Sequence, residues 1–193
     1  CVVLTSVIAI IDYDIGNVSA VANMLQRLGV PCRITASPDD VLQAERIILP
    51  GNGAFDACMR NLRATGLVPV LEQQVLQRGV PLLGICVGAQ MLGVRSAEGT
   101  EPGLGWIGMR VERFPTLPGL RIPHMGWSRV RGMRPAHPLV REMAADARFY
   151  FVHGYFMAPE DPADVLLQAH YGIDFAAGVA HGHVAGVQFH PEK

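Results

Sequence analysis

The sequence predicts an α/β fold, with a mostly parallel central sheet flanked by helices on both faces and additional antiparallel strands from the C-terminal half. Three observations predict it. As far as Leu92, short apolar runs that end in Gly or Pro turns alternate with segments of helical period, the pattern of βαβ units. Beyond Gly93 the texture changes to short β-prone segments divided by turn residues, as antiparallel strands would be. Half of the 193 residues are hydrophobic and 17% are charged, which is a globular composition and enough for one two-sided core. A single domain over residues 1–193 is expected, without repeats, low-complexity runs or an interdomain linker.

The elements follow in order. Val7 to Ile11 is a strand, and the turn Asp12 to Asn17 leads into Val18, Val21, Ala22, Leu25 and Leu28 at helical spacing, stopped by Gly29 and Pro31. Cys32 to Thr35 forms the next strand. Ser37-Pro38 supplies an N-cap and a first-turn proline for a short helix to about Gln43. Arg46 to Leu49 is a third strand and ends in Pro50-Gly51-Asn52-Gly53, either a simple turn or a backbone that can offer N–H donors. Helical patterns cover Ala54 to Ala64 and Val68 to Gln77, and Gly79 and Pro81 break the chain before the strand Leu82 to Ile85. Trp106 to Phe114, Arg121 to His124, Arg148 to His153, Val165 to Ala169, Ala176 to Ala180 and Ala185 to Phe189 read as later strands. Turn signals stand at Pro115, Pro118, Gly126, Gly172 and Gly182.

Charge excludes some roles. A net charge of −1 leaves no basic field for nucleic acid or anionic lipid. The apolar opening from Cys1 to Ile11 lacks a basic flank and is too short to span a bilayer, so neither a signal peptide nor a membrane helix is expected. A chain that begins on Cys1 and not on Met is expected to be a piece of its gene product. Cys1, Cys32, Cys58 and Cys86 are far apart and form no C-x-x-C pair, which points to reduced thiols in the cytoplasm.

One of these cysteines stands apart. Cys86 follows an apolar strand directly, with Gly84 two residues before it and Gly88 two after, the spacing of a nucleophile elbow written with Cys for Ser. Small neighbours let a crowded turn expose the thiol, and a helix starting beneath the sulfur offers N–H groups to an oxyanion. A buried structural thiol in a tight βα turn is the alternative. Sheet position favours chemistry, because Cys86 and the Gly51 loop both fall at C-terminal strand ends.

Among seven histidines, His137 precedes a proline in a turn and His170 suits an exposed strand position. His181 and His183 form an H-x-H pair without a third metal ligand, so no metal is expected there. His190-Pro191-Glu192 is different: residues i and i+2 of an extended segment share a side, so Glu192 can orient the His190 imidazole, as in a nucleophile triad.

G-I-C-V-G-A-Q at Gly84 to Gln90 and Q-F-H-P-E at Gln188 to Glu192 resemble the class I glutamine amidotransferases in order and spacing. I-D-Y-D-I-G-N at Ile11 to Asn17, P-G-N-G-A-F at Pro50 to Phe55, P-G-L-G-W at Pro102 to Trp106, P-H-M-G-W at Pro123 to Trp127 and F-Y-F-V-H-G-Y at Phe149 to Tyr155 extend the likeness over nearly the whole chain. They direct it to the branch of glutaminase subunits that serve histidine biosynthesis. The resemblance implies hydrolysis of L-glutamine by Cys86, His190 and Glu192 without a cofactor. It also implies an oxyanion hole from the backbone of Val87 and Asn52, and substrate contacts from Gly51, Gly53, Gln90, Glu98, Gly154 and Tyr155. The implied partner is a (β/α)₈-barrel cyclase that receives the ammonia, met by Trp127 and Tyr150; ordinary aromatic core is the alternative for those two.

The chain departs from the family pattern at Asn52, where Val is usual, at Ser128, where Asn is usual, and at Gly154, where Ser or Thr is usual. The sequence stops at Lys193, where the family pattern continues into a short C-terminal helix; a disordered tail and a removed one are the alternatives. Two other roles fit the sequence: a glutaminase serving another synthase, such as a sugar-amidating paralogue, and a catalytically silent scaffold for the barrel.

Overall fold

The computed structural model describes residues 7–193; the reduced thiol expected at Cys1 lies outside them. Strand β1 (Ile8–Ile11) is fully buried and pairs in parallel with both β2 (Cys32–Thr35) and β3 (Arg46–Gly51). Helix α1 (Val18–Arg27) bridges β1 to β2. Asn17 caps it, its side chain accepting the Ala20 N–H, and Val21 and Ala22 face the core. Helix α2 (Pro38–Gln43) returns the chain to β3. Helices α3 (Phe55–Ala64) and α4 (Val68–Glu72), the second continued by a π-helical turn over Gln73–Gln77, lead to β4 (Leu82–Cys86). In the order β2-β1-β3-β4 the chain steps outward from β1 to β2 and then back past β1, so the right-handed rule for parallel crossovers places α1 on one face and the later helices on the other.

Past β4 the chain forms the four-residue helix α5 (Val87–Gln90) and the strands β5 (Arg95–Ser96), β6 (Met109–Arg113), β7 (His124–Gly132), β8 (Arg148–His153), β9 (Tyr155–Pro159), β10 (Val165–Tyr171), β11 (Ile173–His181) and β12 (Val184–Val187). The last of these returns to lie parallel to β4, and its other edge pairs antiparallel with β11. The sheet is therefore mixed: parallel from β2 through β1, β3 and β4 to β12, and antiparallel from β12 outward through β11, β10, β7 and β8. Among the described residues, no helix is long and apolar enough to cross a membrane.

The C-terminal half differs in detail from the expected segments. Gly126 is not a turn residue but an interior position of β7, at φ 133°, paired with Phe151. Residues 121–123 precede that strand and do not form one. Residues 106–108 form a turn, in which Trp106 and Ile107 both donate N–H to the Leu92 carbonyl, so β6 begins only at Met109. Strand β9 was not foreseen. The expected turns at Gly172 and Gly182 are present, each in the left-handed region.

Candidate active site

Cys86 ends β4 at φ 55°, ψ −116°, one of two non-glycine residues with positive φ among those described. Such strain persists only where the surroundings over-determine it, and here backbone packs directly on backbone. A Cβ on Gly88 would lie 1.9 Å from the Leu49 carbonyl oxygen, one on Gly51 would lie 2.3 Å from the Gly88 nitrogen, and one on Gly84 would lie 2.7 Å from Ala89. The glycines that flank the cysteine thus let the elbow sink against the end of β3. Because α5 has only four residues, it adds little macrodipole to the thiol; its contribution is the N–H groups of the turn.

His190 reaches this thiol from beyond β12. Its main-chain N–H donates to the Tyr150 carbonyl at 2.9 Å, which pins the segment to β8. Nδ1 lies 2.9 Å from Glu192 Oε1, and the Glu192 side chain is only 3% exposed. Interaction with Cys86 first, and with Glu192 second, outweighs burial and raises the His190 pKa to about 10. With Nδ1 taken by Glu192, the interaction with Cys86 falls to Nε2, which is buried and has no partner of hydrogen-bond geometry. Burial pushes the Glu192 carboxyl up, but the His190 hydrogen bond, its own N–H and the charges of His190 and Lys193 hold it below the usual carboxylate range.

The Gly51 loop faces the same thiol. Ile47 donates its N–H to the Pro81 carbonyl at 2.9 Å, which sets the phase of the β3–β4 ladder. Carried along the register to Gly51 opposite Cys86, the same alternation makes the Gly51 carbonyl the acceptor that faces the Val87 N–H. A planar trans peptide then aims the Asn52 N–H the other way. Both flanking carbonyls are held: Tyr13 Oη donates to Pro50 O at 2.5 Å, and Cys58 Sγ donates to Asn52 O at 3.3 Å. Left-handed backbone occurs at Gly53, φ 87°, and not at Asn52.

A cavity of about 220 Å³ opens beside the thiol, lined by Cys86, Val87, Asn52, Gly53, Gln90 and Glu98, with Pro123 and the segment 152–155 as its far wall. Gly51 lies outside this lining; it borders a neighbouring cavity of about 180 Å³ with Tyr150, His190 and Glu192. Gln90 is buried, and its Nε2 donates to Tyr155 O at 3.3 Å and to Gln188 Oε1 at 2.9 Å. Glu98 Oε2 accepts the Phe55 N–H at 2.9 Å, so this carboxylate caps α3, and Asp56 in turn accepts the N–H groups of Thr100 and Glu101. Gly154 and Tyr155 lie on the far wall of this cavity.

Trp127 is 57% exposed and packs edge-on against half-buried Tyr150, with ring centroids 5.9 Å apart, so Trp127 is not core. His181 pairs with Asp164 at 2.9 Å and His183 Nε2 bonds the Val75 carbonyl, which accounts for both members of the H-x-H pair. Exposed His170 pairs with Asp174. Cys32, Cys58 and Cys86 are free thiols.

Sequence reasoning missed Gln188. It is fully buried, and its Nε2 lies 3.9 Å from Cys86 Sγ while its Oε1 holds Gln90. Gln188 opens the Q-F-H-P-E motif, and the signal for a role was its place two residues before His190, on the same side of an extended segment.

Residues 9–193 match the profile of the family described as "Glutamine amidotransferase class-I". At 50% identity over 186 residues, covering 96% of this chain and 92% of the relative, the chain is similar to the imidazole glycerol phosphate synthase subunit HisH 2 of Pseudomonas aeruginosa. It is 46% identical over 189 residues to the imidazole glycerol phosphate synthase subunit HisH of Bdellovibrio bacteriovorus, covering 96% and 92% of the two chains. Among solved structures it resembles PurLQS from Thermotoga maritima, with a TM-score of 0.75 and 20% identity over 98% of this chain and 89% of that one. A second solved structure, of a glutamine amidotransferase, gives a TM-score of 0.73 and 21% identity over 95% and 90%. At those identities the structures speak for the fold alone.

Proposed function

This chain belongs to the class-I glutamine amidotransferase family, and on that premise we propose that it is the glutaminase subunit of an imidazole glycerol phosphate synthase. In this reading it is a single cytoplasmic amidotransferase domain that passes ammonia to a (β/α)₈-barrel cyclase. The observation that carries the chemistry is the meeting of Cys86, at a strained strand end, with a His190 imidazole oriented by buried Glu192.

Glutamine lies in the cavity with its carboxamide at Cys86, its α-ammonium toward Glu98 and its polar groups against Gln90 and the 154–155 backbone. Cys86 attacks the amide carbon as a thiolate, its proton already carried by His190. The His190 imidazolium, kept protonated at neutral pH by its raised pKa, gives a proton to the nitrogen as the C–N bond breaks, releasing ammonia. A thioester remains. Neutral His190 then takes a proton from water as the oxygen attacks the thioester carbon; glutamate leaves, and the proton returns to the Cys86–His190 pair. The oxyanion needs the N–H groups of Val87 and Asn52 together, and one lost donor of this kind costs on the order of 3 kcal/mol. The Gly51 carbonyl facing Val87 supports a resting state that waits for the partner to turn this peptide over. Such a state avoids releasing ammonia into water, where protonation would end its nucleophilicity. Exposed Trp127, beside Tyr150, supports that face as the docking surface.

The experiment mixes the chain with a histidine-pathway cyclase and its phosphoribosyl ligand and measures glutamate release. Stimulation by both is expected. Glutaminase activity indifferent to them would instead favour a paralogue serving another synthase. Failure of an electrophilic glutamine analogue to label Cys86 under activating conditions would favour a silent scaffold.

A further inference from the structure

Two buried histidines next to the cavity have no part in the chemistry above. His124, from β7, stacks between the rings of Phe151 and Tyr171 at centroid distances of 4.8 and 4.0 Å. Its Nδ1 lies 3.0 Å from His153 Nε2, and its Nε2 lies 2.8 Å from Ser128 Oγ. His153 Nδ1 lies 2.7 Å from the Tyr155 carbonyl oxygen. Burial lowers the pKa of His124 to about 4 and that of His153 to about 3, so both are neutral at pH 7.

Neutrality fixes every proton in this chain. A carbonyl only accepts, so His153 carries its hydrogen on Nδ1 and its Nε2 is bare. His124 must then donate from Nδ1 to that Nε2, which leaves its own Nε2 bare. Ser128 therefore donates its hydroxyl hydrogen. The direction ends at that carbonyl, which accepts from the opposite side as well: Gln90 Nε2 donates to Tyr155 O and to Gln188 Oε1, and Gln188 faces Cys86. With both Nε2 hydrogens of Gln90 committed, Oε1 is the atom this amide can offer a ligand.

We propose that Ser128, His124 and His153 form a one-way hydrogen-bond relay that positions the Tyr155 carbonyl and, through it, the Gln90 amide on the wall of the substrate cavity. The three are positioning residues, and the relay ends on the wall, not on the reacting atoms. Its outer end is the half-buried Ser128, one residue from exposed Trp127, so one strand carries both the docking aromatic and the start of the relay. What the position needs is a donor aimed at His124 Nε2, which an amide supplies as well as a hydroxyl. This inference rests on the glutaminase reading for its kinetic consequence, but not for its proton positions.

Two measurements test it. In the cyclase complex with its phosphoribosyl ligand, Ser128→Ala is expected to raise KM for glutamine about fivefold, the factor one neutral hydrogen bond is worth, with kcat changed by less than about twofold. Ser128→Asn and Ser128→Thr, which keep a donor, should restore the KM. An unchanged KM in Ser128→Ala, a loss confined to kcat, or an Asn variant as impaired as the Ala variant would overturn the relay. Independently, ¹⁵N-histidine NMR of the full chain at neutral pH should find His124 and His153 both neutral with the hydrogen on Nδ1; an Nε2–H tautomer or a charged ring at either position would overturn it. If the wild-type complex releases no glutamate, the glutaminase reading fails, and the NMR result still decides the relay.

Discussion

His190 Nδ1 and Glu192 Oε1 lie 2.9 Å apart across a single proline, both side chains shielded from solvent. Glu192→Gln keeps the shape and removes the charge that helps hold the imidazole protonated, so turnover in the partner complex should fall by roughly 10². The alkaline limb of the rate profile should also move to lower pH. A limb that stays in place would mean that Glu192 has no electrostatic hold on His190.

The same pair makes stability depend on pH. A folded-state pKa raised to about 10 means that the stabilisation from His190 is complete below the ordinary imidazole value of 6.5 and is lost as pH rises through about 10. Denaturation of wild type and His190→Ala should therefore differ most near pH 6 and converge above about pH 10. His124 and His153 act in the opposite sense: their depressed values give stability that is present above 6.5 and lost as pH falls toward about 4 and about 3.

Gly88→Ala should destabilise the fold by about 1–3 kcal/mol in urea titration and abolish turnover, because its methyl would meet the Leu49 carbonyl. Gly108→Ala is the control. Its Cβ would meet nothing closer than 4.0 Å, and it should be within about 0.5 kcal/mol of wild type.

Turning the Gly51–Asn52 peptide toward Cys86 rotates φ of residue 52 toward positive values, which Asn tolerates better than a β-branched residue. Asn52→Val should therefore lower glutamate release by the free chain, measured without partner. Unchanged basal turnover would show that the loop turns by another route.

Trp127→Ala should weaken binding of the cyclase about tenfold or more, as loss of an exposed aromatic anchor does, while the thermal midpoint of the free chain stays put. Titration calorimetry with the cyclase, set beside thermal melts, separates the two effects.

Much of this was legible because it is local. G-I-C-V-G and H-P-E carry their geometry in residue spacing, and the first four strands alternate with helices plainly enough to place both at strand ends. What stayed hidden depends on pairing between distant segments. Tyr155–Pro159 reads as a continuation of Arg148–His153, yet the two strands, separated only by Gly154, pair with different neighbours: β8 with β7, and β9 with β6 and β11. Gly126 carries a turn signal but has β8 beside it, and pairing overrides local preference. Gln188 and the His124–His153 contact are invisible for the same reason, since the partners in each case lie far apart in the chain: 98 residues separate Gln188 from Gln90, and 29 separate the histidines.

The interlocked backbone under Cys86 also decides where this enzyme can be redesigned. With Gly51, Gly84 and Gly88 already against main chain, the backbone floor beneath Cys86 cannot be decorated by substitution. Gly154 opposes it, and a Cβ there would come no nearer than 3.5 Å to any atom, the flexible tip of Ile122. A library aimed at amides other than glutamine should spend its diversity on that wall and leave the floor alone.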